Sequence, residues 1–386
     1  MNSRVSSRPT ADRPHHPHTV LPPKTEQHLN PSVPVARRAP SLRASLGIGE
    51  RLFASPTERR FINAVDDGLE LVEQGLEDAM RSADTLADTT SRYLLSAGGK
   101  RVRPTLTLLI AQLGNGVTDQ IVKAAVSVET THLASLYHDD VMDEAPFRRG
   151  VPAAHVTYGN NVAILTGDLL FARASLITAD LGPEGIRMQA ETFQRLCMGQ
   201  LHETTGPQPD DDPVEHYIQV LSDKTGSLIA TAARAGVLFS GADRAYLDAV
   251  GTFGEKVGVA FQLVDDVIDL APAEDKTGKI AGNDLRAGVD TLPLLQLKRR
   301  AATEPGAAAL LERIERDVTD APDEAVTTDA YLSAVAALRD HEATAATRAV
   351  AAQWADEAVV ALAPLPDGVV KRALTRFAES VVDRSR

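Results

Sequence analysis

Apolar positions recur at helical spacing along nearly all of the chain after residue 56. The stretch FINAVDDGLELVEQGLEDAM (61–80) places apolar residues three and four positions apart, with acidic residues between them, which is the period of an amphipathic helix. No stretch alternates apolar and polar residues as a strand would. The pattern therefore predicts an all-α fold. Further predicted helices cover residues 88–96, 103–114, 118–143, 159–180, 184–204, 213–238, 243–269, 290–303, 306–317, 328–361 and 367–384.

The first 45 residues lack this period. They are rich in Pro, Ser, His and Arg, and their only acidic residues are Asp12 and Glu26, a composition that does not support a packed core. An organellar transit peptide has a similar composition, and a plain N-terminal extension fits it equally well. We expect a disordered tail at residues 1–45, followed by a single helical domain at residues 46–386.

Composition and charge narrow the class of protein. Hydrophobic residues make up 43% of the chain, enough for a large core, and no uninterrupted apolar run reaches the roughly 18 residues of a membrane span. The net charge of −13 excludes a nucleic-acid-binding module, which needs a positive face against the phosphates. The single cysteine, Cys197, excludes an intrachain disulfide and fits a cytoplasmic location. Its apolar helix predicts a buried thiol rather than a nucleophile.

Two predicted helices end in the same arrangement of aspartates. The first lies in LYHDDVMDEAPFRRG (136–150) and the second in FQLVDDVIDL (261–270). Residues four positions apart on a helix differ by only about 40° in direction, so the first and last aspartate of each motif share a face. Carboxylates that converge on one cavity repel one another unless cations neutralise them, and Mg²⁺ binds carboxylates together with substrate phosphates. The two motifs therefore predict a clamp for an Mg²⁺–diphosphate. Its carboxylates are Asp139, Asp140, Asp143, Asp265, Asp266 and Asp269.

Basic residues accompany these motifs in a chain with a large excess of acids. The stretch GGKRVRP (98–104) carries three of them on a glycine turn, and its sequence does not match the phosphate-binding Walker A loop. Such a concentration of cations predicts an anion-binding site. A third aspartate cluster, Asp210 to Asp212, lies between prolines and predicts only a solvated loop or a helix N-cap. The basic residues are Lys100, Arg101, Arg103, Arg148, Arg149, Lys224 and Lys279.

Together these stretches resemble the trans-isoprenyl diphosphate (polyprenyl) synthases. The matching segments are GGKRVRP, THLASLYHDDVMDEAPFRRG, GNNVAILTGDLLFARAS, SDKTGSLIA, FQLVDDVID and GKIAGNDLRAGVDTLPLL, in family order between residues 98 and 295. The resemblance implies an all-α isoprenoid synthase-type bundle around a central cavity, usually as a homodimer. It implies head-to-tail condensation of isopentenyl diphosphate with an allylic diphosphate, with at most transient membrane contact for product release.

The resemblance also implies a role for each matching residue. Three Mg²⁺ would be held by Asp139, Asp143 and Asp265, with Asp140, Asp266 and Asp269 beside them. The allylic diphosphate would contact Arg148, Lys224, Gln262 and Lys279. The isopentenyl diphosphate would contact Lys100, Arg103, His132 and Arg149, although a core histidine at position 132 is equally open from the residues alone. Thr225 would add a dipole that protects the carbocation. Two departures from the family pattern, in KTG (224–226) and in RAGVDT (286–291), touch no metal or phosphate contact.

The residues before the first motif predict the length of the product. In such enzymes a bulky side chain there blocks the elongation tunnel, and here Ala134, Ser135 and Thr130 are small. Tyr137 is large, but it points about 160° away from Asp139 on a helix. We therefore expect a product of C30 or longer.

Three other functions stay open. The main alternative is a geranylgeranyl or farnesyl diphosphate synthase. A class I terpene cyclase shares the first motif but normally carries an Asn/Ser/Glu metal motif on the second helix, where this chain has DDVID. A non-catalytic partner subunit usually loses aspartates from a motif, whereas both motifs are complete here.

Overall fold

A computed structural model gives the structure of most of the chain beyond the predicted tail. The tail, its boundary near residue 45 and Lys279 all lie outside the described residues. The residues that the structure describes are 55–271, 281–322, 325–326 and 328–384.

The described residues form helices whose starts are fixed by side-chain caps and prolines. Before the first helix, the Ser55 hydroxyl accepts a hydrogen bond from the Glu58 N–H, and the Glu58 carboxylate accepts one from the Ser55 N–H. This is a capping box, which satisfies two otherwise unpaired donors. In the first half the helices are α1 (Pro56–Met80), α2 (Thr85–Ser96), α3 (Val102–Ala111), α4 (Asp119–Met142), α5 (Ala154–Tyr158) and α6 (Asn160–Ala179). In the second half they are α7 (Pro183–Thr205), α8 (Pro213–Leu221), α9 (Ser227–Leu238), α10 (Leu247–Asp269), α11 (Asn283–Arg286), α12 (Leu292–Ala301), α13 (Pro305–Ile314), α14 (Asp329–Arg339), α15 (Glu342–Ala361) and α16 (Val369–Asp383).

The predicted all-α class is confirmed, with local differences. The stretch predicted as one helix over 213–238 contains a π-helical turn, Ser222–Gly226, between α8 and α9. A small antiparallel pair of strands, β1 (Phe147–Arg148) and β2 (Val151–Pro152), follows α4. These strands are two residues long, too short to produce an alternating pattern. Asp212 caps α8 by accepting from the N–H groups of Val214 and Glu215, as the N-cap reading predicted.

Helix α9 lies at the centre of the bundle. It packs against α3, α4 and α10, while α4 packs against α6, and α10 packs against α15. These contacts bury one large apolar cluster that includes Leu109, Leu133, Phe253 and Phe377. A second cluster around Leu285 and Tyr331 covers the helices that follow the second aspartate motif. The ends of α4 and α10 that carry the aspartates are therefore held by neighbours on both sides.

Helix α6 is long and apolar enough, by length and composition, to cross a membrane, with a mean hydropathy of 1.5. Its two charged side chains are engaged within the protein: Arg173 donates to the Met80 carbonyl and the Ser91 hydroxyl, and Asp168 lies 3.3 Å from His138 Nε2. These contacts, and its packing on α4, make α6 a helix of the bundle.

The expectation that Cys197 is buried is wrong, because the side chain is exposed. It lies on the outer side of α7, near the exposed Met198 and Leu201. The apolar residues around Cys197 therefore form an apolar surface of α7 and do not belong to the core. The local surroundings still raise the pKa of the thiol by partial burial, so it is not an activated nucleophile.

Candidate active site

The first aspartate motif lies at the end of α4, and a buried tyrosine fixes the rotation of this helix about its axis. Tyr137 is fully buried; its hydroxyl donates to the Thr90 carbonyl and accepts from the Leu94 N–H, 3.3 Å away. Tyr137 therefore points towards α2. The helix ends at Met142, and Asp143 caps it through an N–H bond to the Asp139 carbonyl of 2.8 Å. Asp143 keeps a helical backbone conformation, so the predicted shared face of the two carboxylates persists into the cap.

Two carboxylates of this motif, Asp139 and Asp140, lie in an environment that disfavours negative charge. Burial raises the pKa of Asp139 to about 6, with Asp143 adding to the rise and Lys224 opposing it. Burial also raises the pKa of Asp140, against the pull of Arg148, whose Nε donates to Asp140 Oδ1 at 2.6 Å. The other oxygen of Asp140 is buried and has no hydrogen-bond partner among the described residues. The site is therefore short of positive charge.

The second motif, at the end of α10, has a different partner for each aspartate. The Tyr217 hydroxyl donates to Asp266 at 2.8 Å, and burial raises the pKa of Asp266 to about 8. The Asp284 N–H donates to Asp269 at 3.0 Å, so the start of α11 is tied back to the motif. Arg384, next to the end of the last helix, donates to Asp265 at 3.0 Å.

Arg384 also lies over the ring of Phe261, with its guanidinium carbon 4.6 Å from the ring centroid. The Lys100 ammonium lies 5.8 Å from the centroid of the same ring. Two cations from distant parts of the chain therefore meet at the helix of the second motif. The sequence analysis missed Arg384, because no spacing rule links it to an aspartate 119 positions earlier.

The two arginines of the basic loop between α2 and α3 lie in different surroundings. Arg101 is buried and pairs with Glu73 and Glu129, the latter at 3.3 Å. It is therefore a structural residue. Arg103 is half-buried, and its Nε has no hydrogen-bond partner in the described part of the chain. Burial lowers the pKa of Arg103, and Glu129 opposes that shift.

Two further residues predicted to hold isopentenyl diphosphate lie beside this loop. Arg149 donates to the carbonyls of Leu94, at 3.0 Å, and Gly98. Burial lowers the pKa of Arg149 to about 10. Burial lowers the pKa of His132 well below its ordinary value, and the charge of Arg103 and then that of Arg149 add to the effect. The histidine is therefore neutral at neutral pH and lies close to the guanidinium groups of Arg103 and Arg149.

Lys224 and Thr225 lie on the π-helical turn between α8 and α9. The Lys224 ammonium pairs with Glu203 of α7. Burial by itself would lower the pKa of Lys224, but Glu203, Asp139 and Asp143 raise it above the ordinary value. The turn thus places a charged ammonium close to the first aspartate motif. Gln262 is half-buried on α10, one turn before the second motif.

The two motifs share neighbours. Glu203 influences the pKa of Asp139 on one side and that of Tyr217, the partner of Asp266, on the other. Helix α9 packs against both α4 and α10. The structure therefore brings most of the predicted residues to one end of three adjacent helices. Sequence reasoning missed Glu203 and Tyr217, which contact the predicted residues without belonging to either motif.

The donor set fits a hard divalent cation that also binds a phosphate. No three acidic, histidine or cysteine side chains of the described residues lie close enough together to hold a metal ion by themselves. Mg²⁺ commonly takes one or two carboxylates and completes its octahedron with water and substrate phosphates. The raised pKa of Asp139 and the unpaired oxygen of Asp140 indicate carboxylates that a cation would stabilise.

A cavity lies deeper along the same helices. It is small, about 10 Å³, which is roughly the space that one water molecule needs. On α4 its wall begins at Thr131 and continues towards the helix start; Ser135 shares that face, four positions on, whereas Thr130 points about 100° away. The assignment of Ala134, Ser135 and Thr130 to a tunnel stays a prediction. The cavity is lined by, among others, Ala124, Ser127, Val128, Thr131, Met188 and Leu228.

The chain is similar to several known proteins. The family described as polyprenyl synthetase matches residues 84–329. Nonaprenyl diphosphate synthase of Mycobacterium tuberculosis is 41% identical over 343 residues, which cover 88% of this chain and 97% of that protein. A decaprenyl diphosphate synthase structure from Rhodobacter capsulatus is 31% identical with a TM-score of 0.73, covering 85% of this chain and 99% of that one. A geranylgeranyl pyrophosphate synthase from Corynebacterium glutamicum, solved with calcium and isoprenyl diphosphate, is 38% identical with a TM-score of 0.72, covering 86% and 98%.

Proposed function

The chain belongs to the polyprenyl synthetase family, and on that premise we propose that it is a long-chain trans-prenyltransferase. It condenses isopentenyl diphosphate with an allylic diphosphate primer, head to tail, to an all-trans polyprenyl diphosphate of C30 or longer. The observation that carries the proposal is that Lys224, on the turn between α8 and α9, lies close to Asp139 and Asp143. Glu203, the ion-pair partner of Lys224, also lies close to Tyr217, which donates to Asp266 of the second motif.

The residues of the first motif and the turn bind the primer. Lys224, Arg148 and Gln262 contact the allylic diphosphate, and the family resemblance adds Lys279 as a fourth contact. As the allylic C–O bond breaks, negative charge develops on the departing diphosphate, and these cations stabilise it. Thr225 directs a hydroxyl dipole towards the allylic cation without reacting with it.

The second substrate lies against the basic loop. Lys100, Arg103, His132 and Arg149 hold the isopentenyl diphosphate so that its double bond faces the allylic cation. Confinement in one cavity makes the attack effectively unimolecular, and exclusion of water prevents the cation from being quenched. The proton lost after the attack passes to the departed diphosphate.

Three Mg²⁺ complete the site in this proposal. Asp139, Asp143 and Asp265 would hold them, with Asp140, Asp266 and Asp269 beside these ligands. Bound Mg²⁺ supplies Lewis-acid stabilisation of the leaving diphosphate. The support in this chain is the donor chemistry: six carboxylates, of which Asp139 and Asp266 are disfavoured as anions without a cation.

A shorter product is the main alternative. The relative from Corynebacterium glutamicum is a geranylgeranyl pyrophosphate synthase at 38% identity. The more similar nonaprenyl synthase, at 41%, and the small residues along the cavity wall of α4 support the longer product. The complete second motif supports elongation over cyclisation or a non-catalytic role.

An assay of labelled isopentenyl diphosphate tests the chemistry. With Mg²⁺ and a C15 allylic primer, the purified chain should transfer label into products extractable by butanol. Asp139→Asn should reduce this by at least about 100-fold, the usual loss when charge stabilisation of a transition state is removed. Asp210→Asn, in the exposed loop cluster, is the matched control and should leave the rate unchanged. Equal rates in both variants would contradict the assigned site.

We also propose that the chain forms a homodimer through α6 and α7. Leu165 and Leu176 on α6 are 66% and 71% exposed, and Phe193, Met198 and Leu201 add exposed apolar area on α7. Apolar surface of this kind marks an interaction site, and a two-fold dimer lets one patch cover its own copy. Light scattering should give twice the chain mass. A monomer with full activity, or activity only after a different subunit is added, would contradict this.

A cytoplasmic location with at most transient membrane contact during product release completes the proposal. The product is almost insoluble in water, so release at a lipid surface is favourable. Fractionation of cells should place the protein with the soluble pool. Recovery of most of it in washed membranes would contradict this location.

A further inference from the structure

The turn that carries Lys224 is held by a partly buried network of charged side chains outside both aspartate motifs. Ser222–Gly226 forms a single π-helical turn, closed by a hydrogen bond from the Ser227 N–H to the Ser222 carbonyl. The extra residue in such a turn rotates the side chains relative to a continuous helix. Single π-helical turns inside α-helices are rare and occur frequently at functional sites. The direction of Lys224 therefore depends on what keeps this turn in place.

One arginine on α7 contacts three groups around the turn. Arg195 Nε donates to Asp223 Oδ1 at 2.7 Å, and its Nη1 donates to Glu255 Oε2 of α10 at 2.9 Å. Its Nη2 donates to the Ser222 hydroxyl oxygen at 3.1 Å. The Ser222 hydroxyl in turn donates to Glu255 Oε1 at 2.6 Å. Gln219 donates to the second oxygen of Asp223 at 2.7 Å. The turn is thus tied to α7 and α10 at the same time.

Charge and burial make this network stiff. Asp223 is 9% exposed, and both of its carboxylate oxygens accept hydrogen bonds from side chains. Burial by itself would raise the pKa of Glu255, but hydrogen bonds from Arg195 and Ser222 lower it below the ordinary value. Charge-assisted and bidentate pairs of this type are stronger and more directional than neutral hydrogen bonds.

Glycines bring the turn close to the same two helices. A Cβ on Gly199, one turn after Arg195, would lie 2.7 Å from the Lys224 backbone nitrogen. A Cβ on Gly258 of α10 would lie 2.7 Å from the Gly226 Cα. The backbone of the turn therefore has no room to move towards either helix.

We propose that Arg195 is a positioning residue for prenyl transfer: it fixes the π-helical turn so that Lys224 and Thr225 meet the allylic diphosphate. This proposal rests on the function proposed above and adds a residue that touches no substrate. It also accounts for the pairing of Lys224 with Glu203. The ammonium must exchange Glu203 for a phosphate when the primer binds, while the backbone beneath it stays in place.

The test compares Arg195→Gln with Arg187→Gln, an exposed arginine two turns earlier on the same helix. Arg195→Gln should reduce the single-turnover rate of the first condensation by about 10- to 100-fold, since a misplacement of about 1 Å has this effect. The KM for isopentenyl diphosphate should stay within about twofold, because its contacts lie on another loop. Arg195→Lys should recover part of the rate, because its ammonium still reaches one carboxylate. Arg187→Gln should match the parent.

A second measurement does not depend on turnover. Calorimetry with Mg²⁺ and inorganic diphosphate should show about tenfold weaker binding for Arg195→Gln than for Arg187→Gln. A purely structural role would lower the unfolding temperature but leave the diphosphate affinity and single-turnover rate of the folded protein at the parental values. That result would overturn the proposal. So would a KM for isopentenyl diphosphate that rises as much as the rate falls.

Gly199→Ala provides an independent perturbation if Arg195→Gln does not fold. Its methyl group displaces the turn at Lys224 without removing a charge, so the same loss of rate and diphosphate affinity is expected. A folded Gly199→Ala protein with parental values would overturn the proposal. A parent that binds diphosphate but elongates no primer would instead contradict the proposed function, and the diphosphate affinities would still decide the role of Arg195.

Discussion

The cavity along α4 yields a quantitative prediction for the length of the product. Ser127 lines this cavity and lies twelve positions before Asp139, which is about 18 Å along the helix at about 1.5 Å per residue. Three extended backbone bonds span about 3.5 Å, so the four carbon–carbon bonds of one isoprene unit span about 4.6 Å. About four units therefore fit between the diphosphate site and Ser127.

A phenylalanine at position 127 should consequently stop elongation near C20, since helical side chains lean towards the helix start and block the space at and beyond their own level. Ala134→Phe lies only about 7.5 Å from Asp139 by the same rise per residue, and its product should stop at C10 to C15. The geometry therefore predicts that both products are shorter than the parental one and that the product of Ala134→Phe is shorter than that of Ser127→Phe.

The assay is chromatographic sizing of the dephosphorylated products made from labelled isopentenyl diphosphate. Val360→Phe, on the exposed side of α15, is the matched control and should keep the parental length. Overpacking at Ser127 is expected to reduce the free energy of unfolding by about 1–3 kcal/mol, so each variant is also checked by thermal unfolding. A folded Ser127→Phe protein with the parental product would refute the path along α4.

Two further predictions concern the aspartate motifs. Arg384→Gln removes one partner of Asp265, so the Mg²⁺ concentration for half-maximal activity should fall by about two- to fivefold, given the usual value of half-exposed ion pairs. A metal titration with an unchanged or raised midpoint would contradict this prediction. Burial raises the pKa of Asp139 to about 6 and that of Asp266 to about 8, so the folded metal-free protein binds more protons than the unfolded chain between roughly pH 4 and 8. Their contribution to the free energy of unfolding should therefore fall as the pH rises through this window, and Mg²⁺ with inorganic diphosphate should stabilise the protein more at pH 8 than at pH 6. Thermal unfolding at several pH values checks the direction of this change. In Asp266→Asn, the part of the pH dependence that lies near pH 8 should disappear.

The fold class and the aspartate motifs were predictable from the sequence because both depend on local spacing. Apolar residues at helical intervals gave the helices, and residues four positions apart gave the shared face of Asp139 and Asp143. Tyr137 was placed correctly away from the site by the same rule, and the structure shows its hydroxyl bonded to Thr90 and Leu94.

Contacts between distant segments were not predictable in this way. Glu203, Tyr217 and Arg384 reach the site from helices whose own sequences carry no motif. The π-helical turn was missed because one additional residue in a turn hardly alters the apolar period of the segment. Cys197 was misplaced because an apolar helix face looks the same in sequence whether it meets the core or the surface.

Which arginine of the basic loop has a structural role also depends on tertiary structure. Arg101 and Arg103 are two positions apart in GGKRVRP, but Arg101 is buried against Glu73 and Glu129, whereas Arg103 remains half-buried beside His132. A positive backbone φ of 50° at Arg101 directs the chain into α3. Only the positions of the two glutamates, on other helices, decide which arginine is structural.

The most direct test of the account is product analysis of the purified chain with Mg²⁺, labelled isopentenyl diphosphate, and C5, C10, C15 and C20 allylic primers offered separately. The account predicts elongation by the chain alone, with products that end at C30 or beyond. Termination at C15 or C20 would keep the chemistry but contradict the predicted elongation path along α4. No elongation from any primer would contradict the central claim that the two aspartate motifs and Lys224 form one prenyl-transfer site.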